Sequence, residues 1–198
     1  MKKFLSVLFL NIIAVAAFSQ QPEQVEKHLE FMGEPICGTL NNFVNKMVKK
    51  GFTFSEITQD GTAILKGEYE GYKNCDIYIY SVQNGKKVNN VAVSFPYQDT
   101  WSALSDDYYN LKKTLTKRYG QPDISIEVFE NEVPYDLKML YVETDRCDFK
   151  STFNRDNGVI ALVINHVFFD DKHYSNVRII YMDQPNYGSQ KQKEEEKK

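Results

Sequence analysis

The sequence predicts an α+β fold made of a helix followed by an antiparallel strand meander, with this helix-plus-sheet plan occurring twice in tandem. Two segments carry apolar residues at helical spacing, and each is followed by short segments in which β-branched and aromatic residues alternate. The composition, 42% hydrophobic and 26% charged, is that of a globular protein able to bury a core. We therefore expect the helices to pack on one face of antiparallel sheet.

The first predicted helix covers residues 39–50, between Gly38-Thr39 as its start and Gly51 as its end. The second follows Asp99-Thr100 and is stopped by Gly120 and Pro122. The apolar residues at helical spacing are Leu40, Phe43, Val44, Met47 and Val48 in the first helix, and Trp101, Leu104, Tyr108, Leu111, Leu115 and Tyr119 in the second. The second pattern is longer, which makes that helix the better defined of the two.

Alternating segments rich in β-branched and aromatic residues predict the strands. The predicted strands are 63–69, 76–82 and 90–95 after the first helix, and 138–143, 148–153, 159–166 and 177–183 after the second. Asn84-Gly85 and Asp156-Asn157-Gly158 have the composition of hairpin turns. This division gives a first repeat over 36–97 and a second over 98–183; a chance match of two unrelated meanders is the alternative.

Both ends of the chain differ from this central part. Residues 1–19 combine basic Lys2-Lys3, an apolar run from Phe4 to Val15 and small residues before Gln20, the pattern of a cleaved signal peptide. An amino-terminal anchor helix is the alternative. We expect export to the periplasm or beyond, followed by an N-terminal extension over 20–35 and a polar, disordered tail over 184–198.

Charge and hydropathy limit the partners that we expect. The net charge of −3 does not provide the positive field that nucleic-acid binding needs. No second apolar run is long enough to span a bilayer, so no integral membrane span is expected after leader cleavage. The remaining expectation is a protein or an envelope component as partner, with no cofactor.

Three cysteines would enter an oxidising compartment after export, and their odd number leaves at least one thiol unpaired. Aligning the two repeats places Cys75 and Cys147 at matching strand starts, each followed by Asp. We therefore predict a disulfide between them, with Cys37 free. A Cys37–Cys75 bridge and three buried reduced thiols are the alternatives.

The sequence contains few patterns typical of catalytic or metal-binding motifs. There is no Gly-x-Ser-x-Gly motif and no phosphate-binding glycine loop. His166, Asp170 and His173 have the side chains of a zinc site if residues 168–173 turn between two strands. No His-x-His or His-x-x-x-His spacing forces them together, so we favour a polar turn.

Tyrosines give the more informative pattern, since the chain holds 13 Tyr and 13 Phe. Tyr69, Tyr78 and Tyr80 cluster around the first two predicted strands. If Ile77 and Ile79 face the helices, period-two alternation sends Tyr78 and Tyr80 to the opposite sheet face, where exposed aromatic rings suit binding. The alternative is that a loop or a second copy covers this face.

A tandem helix-plus-sheet plan in a small exported protein resembles the architecture of β-lactamase-inhibitor-protein-like modules, in which helices cover one face of a continuous sheet. The segments Lys50-Gly51-Phe52, Leu65-Lys66-Gly67-Glu68-Tyr69 and Lys117-Arg118-Tyr119-Gly120-Gln121-Pro122 also resemble those of uncharacterised secreted α+β proteins of bacteria. The first resemblance implies a protein inhibitor of a secreted enzyme. The second implies no activity.

The leading functional expectation is an exported, non-enzymatic binding or envelope-assembly module that uses the open sheet face. Missing catalytic frames and the surface tyrosines are the observations behind it. A periplasmic hydrolase with a site near His166 and His173 is one alternative. An enzyme inhibitor that inserts a loop such as residues 83–87 into its target is the other.

Overall fold

The computed structural model describes residues 26–186, so the predicted leader lies outside the described residues. Three α-helices lie wholly within this range: α1 (Leu40–Lys49), α2 (Trp101–Tyr119) and α3 (Lys138–Glu143). Two short strands form a hairpin, β1 (Glu30–Phe31) and β2 (Glu34–Pro35). The other strands are β3 (Thr53–Ile57), β4 (Ala63–Tyr69), β5 (Tyr72–Val82), β6 (Lys87–Ser94), β7 (Ile124–Phe129), β8 (Cys147–Arg155), β9 (Gly158–Phe169) and β10 (Lys172–Asp183).

A single antiparallel sheet of eight strands organises the chain, with the order β3-β4-β5-β6-β10-β9-β8-β7. Each set of four consecutive strands is a meander, and the two meanders meet where β6 pairs with β10. The α+β class predicted from the sequence is therefore confirmed.

The core lies between this sheet and the helices, on what we call the helix face. The predicted stripe of α2 is buried there, with Leu104 and Leu115 0% exposed and Leu111 1% exposed. The Tyr108 hydroxyl lies 2.9 Å from Ser151 Oγ on β8, which satisfies a polar group inside the core. Both long helices begin as expected, because Thr39 Oγ1 accepts from the Asn42 N–H and Thr100 Oγ1 from the Ala103 N–H.

Leu111→Ala is expected to lower the free energy of unfolding by about 2–5 kcal/mol, the usual cost of removing a fully buried leucine side chain. Urea denaturation followed by circular dichroism measures the change. Lys113→Ala, an exposed position on the same helix, is the matched control and should change stability by less than about 0.5 kcal/mol. Equal effects of the two substitutions would contradict the packing described for α2.

Several elements differ from the sequence prediction. Residues 138–143, predicted as a strand, form α3, which follows a 3₁₀ turn at Tyr135–Leu137 and places Val142 in the core. β1, β2, β3 and β7 were not predicted. β3 and β7 are the two edge strands of the large sheet, and β3 is exposed along its whole length, so burial imposed no clear alternation on it.

The ordered fold extends past the predicted start of the tail at Gln184. Asn186 is fully buried, and its side-chain amide donates to the Ile36 and Val88 carbonyls at 2.9 and 2.8 Å. The expectation of a solvated end was thus wrong for Asn186. Residues 187–198 lie outside the described part of the chain. Within residues 26–186, no helix is long and apolar enough to cross a membrane.

Candidate functional site

The sheet face opposite the helices, which we call the open face, carries the tyrosines singled out in the sequence. On β5, Ile77 and Ile79 are fully buried under the helices, whereas Tyr78 and Tyr80 point the other way and are half-buried. Within residues 26–186, the helices and the β1–β2 hairpin contribute their buried residues to the core on the helix face. The rings of Tyr78 and Tyr80 are therefore not sealed inside the core.

Strand register aligns one row of side chains across all eight strands on the open face. From one edge strand to the other the row is Ile124, Thr152, Ala161, Ile180, Ala92, Tyr78, Ile64 and Glu56. Six of its eight members are apolar or aromatic. The outer strand adds to it, because Ile124 is 51% exposed and Val128, on the same side of β7, is 53% exposed. Thr152, Ala161 and Ala92 are only 3–6% exposed, so the apolar surface of this row is not continuous. It consists of the exposed Ile124 and Val128 at the β7 edge and the partly exposed Ile180, Tyr78 and Ile64.

An arginine and a further pair of tyrosines also lie on the open face. The Arg178 guanidinium lies 5.6 Å from the Tyr78 ring centroid, and its Nε donates to Ser94 Oγ at 2.7 Å. Tyr97 and Tyr174 contact each other with ring centroids 5.1 Å apart. Sequence reasoning did not single out Arg178 or Tyr174, although the same alternation along β10 could have placed both on this face.

Burial raises the pKa of the Tyr78 and Tyr80 hydroxyls above the ordinary value for tyrosine. Both phenols are therefore neutral at physiological pH and can donate hydrogen bonds. Tyrosine and arginine are the residue types that most often dominate the energetics of protein interfaces. The open face accordingly combines apolar area with polar groups able to orient a partner.

Tyr69 does not belong to this group. It is 4% exposed, lies on the helix face, and stacks on Phe31 with ring centroids 5.4 Å apart. Its hydroxyl is 2.6 Å from the Tyr181 hydroxyl. The prediction that Tyr69 shares a binding surface with Tyr78 and Tyr80 was wrong, because odd-numbered residues of β4 face the core.

The two histidines of the predicted metal set come together, but Asp170 does not join them. His166 Nε2 and His173 Nδ1 are 2.9 Å apart across the β9–β10 hairpin. The carboxylate beside them is that of Asp145, whose Oδ1 lies 3.6 Å from His166 Nδ1. Asp170 sits in the hairpin turn with a positive φ of 51°. The described residues contain no group of three or more His, Cys, Asp or Glu side chains placed to hold a metal ion.

The predicted Cys75–Cys147 disulfide is absent, and all three cysteines are free thiols. Cys75 lies on β5 and Cys147 on β8, with β6, β10 and β9 between them. Four strand steps of about 4.8 Å separate the two strands by roughly 19 Å, whereas a disulfide needs Cα atoms about 4.4–6.8 Å apart. The sequence alignment behind the prediction had matched the third strand of one meander with the second strand of the other.

Slow alkylation of Cys75 and Cys147 in the folded protein is an expected consequence. Burial raises the pKa of each thiol to about 11. Since the thiolate is the nucleophile, both should react with iodoacetamide about a hundredfold more slowly than in denaturant. Mass mapping of alkylated peptides measures the rates, and the urea-unfolded protein is the control. A peptide joining residues 75 and 147 in the non-reduced protein would contradict the free thiols.

Comparison with known proteins finds no relative of this chain. No family model matches the chain, and neither the curated proteins nor the solved structures yield a significant match.

Proposed function

We propose that this chain is an exported, non-enzymatic binding module that recognises a protein or an envelope component through its open face. The observation that supports the proposal is the group of exposed or partly exposed apolar and aromatic side chains on this face, with Tyr80 and Arg178 beside them: Ile124, Val128, Ile180, Tyr78 and Ile64. Apolar side chains grouped on the surface of a folded chain are typical of interaction sites, because leaving them in water is unfavourable. The leader-like sequence of residues 1–19 supports a periplasmic or secreted location.

In this proposal a few side chains anchor the partner, and the total area buried at the interface matters less. Tyr78 is held between Ala92 and Ile64 of the neighbouring strands, and Arg178 lies over its ring. A partner that covers Tyr78 would bury a ring whose position is already fixed, which reduces the conformational entropy lost on binding. Tyr78 and Tyr80 are therefore proposed as the central contacts.

We further propose that the fold arose as a tandem repeat. The order α1-β3-β4-β5-β6 is repeated by α2-β7-β8-β9-β10, with α3 inserted between β7 and β8. The sheet order is symmetrical about the β6–β10 pair, as expected when two equal units pair through their last strands. In this correspondence β5 matches β9, which revises the alignment of Cys75 with Cys147. The plan supports the resemblance to β-lactamase-inhibitor-protein-like modules.

The test is affinity capture from envelope extract with the wild type, Tyr78→Ala/Tyr80→Ala and Tyr135→Ala. Tyr135 is 62% exposed, lies outside the sheet and serves as the matched control. We expect a partner that is retained by the wild type and Tyr135→Ala but lost with the double variant, at nearly unchanged melting temperature. Identical capture by all three proteins would overturn the proposal. A captured enzyme that is inhibited would make the module an inhibitor.

A periplasmic hydrolase is the second candidate, favoured by the contact between His166 and His173. The His166 side chain is only 8% exposed, and the exposed carboxylate of Asp145 lies 3.6 Å from its Nδ1. Hydrolysis of ester or peptide substrates that His166→Ala abolishes, without loss of fold, would support this candidate over the binding module. Equal turnover by the two proteins would exclude the histidine pair.

A further inference from the structure

A cavity of about 670 Å³ lies on the helix face, away from the open face. It is open to solvent on one side and is lined by the amino-terminal segment at residues 27–33, the end of α2, and the turns that follow β4 and β8. This volume is within the range of small-molecule sites. Leu29, Met32 and Ile160 give it apolar walls.

Tyrosine hydroxyls form the polar part of the cavity. The hydroxyls of Tyr69 and Tyr181 are 2.6 Å apart, and Tyr119 places its own hydroxyl near that of Tyr181. Burial raises the pKa of Tyr69 to about 12 and that of Tyr181 well above its ordinary value. Both remain protonated at physiological pH. One hydroxyl hydrogen is used in the bond between Tyr69 and Tyr181, and a hydrogen not used within the group can donate to a ligand oxygen.

Two arginines stand at the rim, each with its guanidinium carbon 5.9 Å from the Tyr119 ring centroid. Arg118 is neutralised by Glu70, to which its Nη2 donates at 2.5 Å. Arg155 differs, because its Nε donates only to the Asn154 carbonyl and no carboxylate of residues 26–186 lies within ion-pair distance. Its two Nη groups are therefore available to an incoming anion.

The cavity is positive although the chain is acidic. Its charged lining consists of Lys27, Arg118 and Arg155 against Glu30 and Glu70, in a chain with a net charge of −3. A local excess of positive charge beside aromatic and apolar walls is complementary to an organic anion rather than to a neutral or cationic ligand.

We propose that this cavity binds a small organic anion, a carboxylate or a phosphate ester. Its charged group is held by the Arg155 Nη groups, its body lies against Tyr119 and the apolar walls, and its remaining oxygens accept from the tyrosine hydroxyls. Because the site is on the other side of the sheet from Tyr78 and Tyr80, it is independent of the open-face partner.

Isothermal titration with benzoate, phenyl phosphate, inorganic phosphate and neutral benzamide tests the proposal. We expect saturable binding of at least one organic anion with a Kd of about 1 mM or tighter, and weaker binding of benzamide. Arg155→Gln should weaken anion binding at least about tenfold, since it removes charge-assisted hydrogen bonds. Arg155 is exposed, so this substitution should leave the fold intact.

Arg146→Gln is the matched control, because Arg146 pairs with Glu130 and stacks on Tyr141 outside the cavity. It should bind the anions as the wild type does. The proposal is overturned if neither organic anion saturates, if benzamide binds equally well, or if the two arginine variants behave alike. Binding of inorganic phosphate without binding of either organic anion would also overturn it.

Discussion

Asp183→Ala is expected to lower the free energy of unfolding by about 3–5 kcal/mol, the cost of breaking a buried polar pair. Asp183 is fully buried at the end of β10. Its Oδ1 accepts from the Leu29 N–H at 2.7 Å, and its Oδ2 lies 2.8 Å from His28 Nδ1 and accepts from the Asn186 N–H at 3.3 Å. Alanine would leave these three donors without their acceptor at a buried or partly buried position.

Chemical denaturation of the purified protein measures this change. Asp148→Ala is the matched control, because Asp148 is an exposed aspartate on β8, and its loss should change stability by less than about 0.5 kcal/mol. Limited proteolysis adds a local readout, since release of His28 and Leu29 should make cleavage before β1 faster. A stability loss below about 1 kcal/mol for Asp183→Ala would show that the carboxylate does not hold this segment.

The local sequence pattern was enough to predict the helices and strands that bury one face. Both long helices and six of the eight strands of the large sheet were predicted near their observed bounds, because alternation and helical spacing record which side chains avoid water. The same rule fails where burial is weak, as at the edge strand Thr53–Ile57. It also fails at Lys138–Glu143, where a short segment fits helix and strand alike until its packing is known.

For the candidate site too, local sequence predicts some features and not others. The outward direction of Tyr78 and Tyr80 follows from period-two alternation next to Ile77 and Ile79, a local property. The position of Tyr69 in the core, the distance between Cys75 and Cys147, and the cavity beside Arg155 depend on strand order and on the path of the amino-terminal segment. Neither the strand order nor the path of that segment can be predicted from the spacing of neighbouring residues.

Gly158→Ala is the second substitution for which a large effect is expected, a loss of about 3–5 kcal/mol. Gly158 has a φ of +155°, which residues with a Cβ rarely adopt, and it pairs with Asp183 in the β9–β10 ladder. A Cβ there would lie 2.2 Å from the Met182 carbonyl oxygen and 2.6 Å from Leu29 Cδ1. The backbone at residue 158 cannot move away without disturbing its pairing with Asp183. The free-energy costs of backbone strain and of overpacking are therefore both present.

Gly61→Ala is a reference without the steric contact. Gly61 also has a positive φ, +82°, but a Cβ at that position meets no atom within 4 Å. It should therefore cost only left-handed backbone strain, about 1–2 kcal/mol. Urea denaturation of both variants gives the difference, which contains the contact of a Cβ at residue 158 with Leu29 and Met182 together with the greater backbone strain at a φ of +155°. If Gly158→Ala is no more destabilising than Gly61→Ala, Leu29 does not lie against the start of β9, and the amino-terminal segment does not form that wall of the cavity.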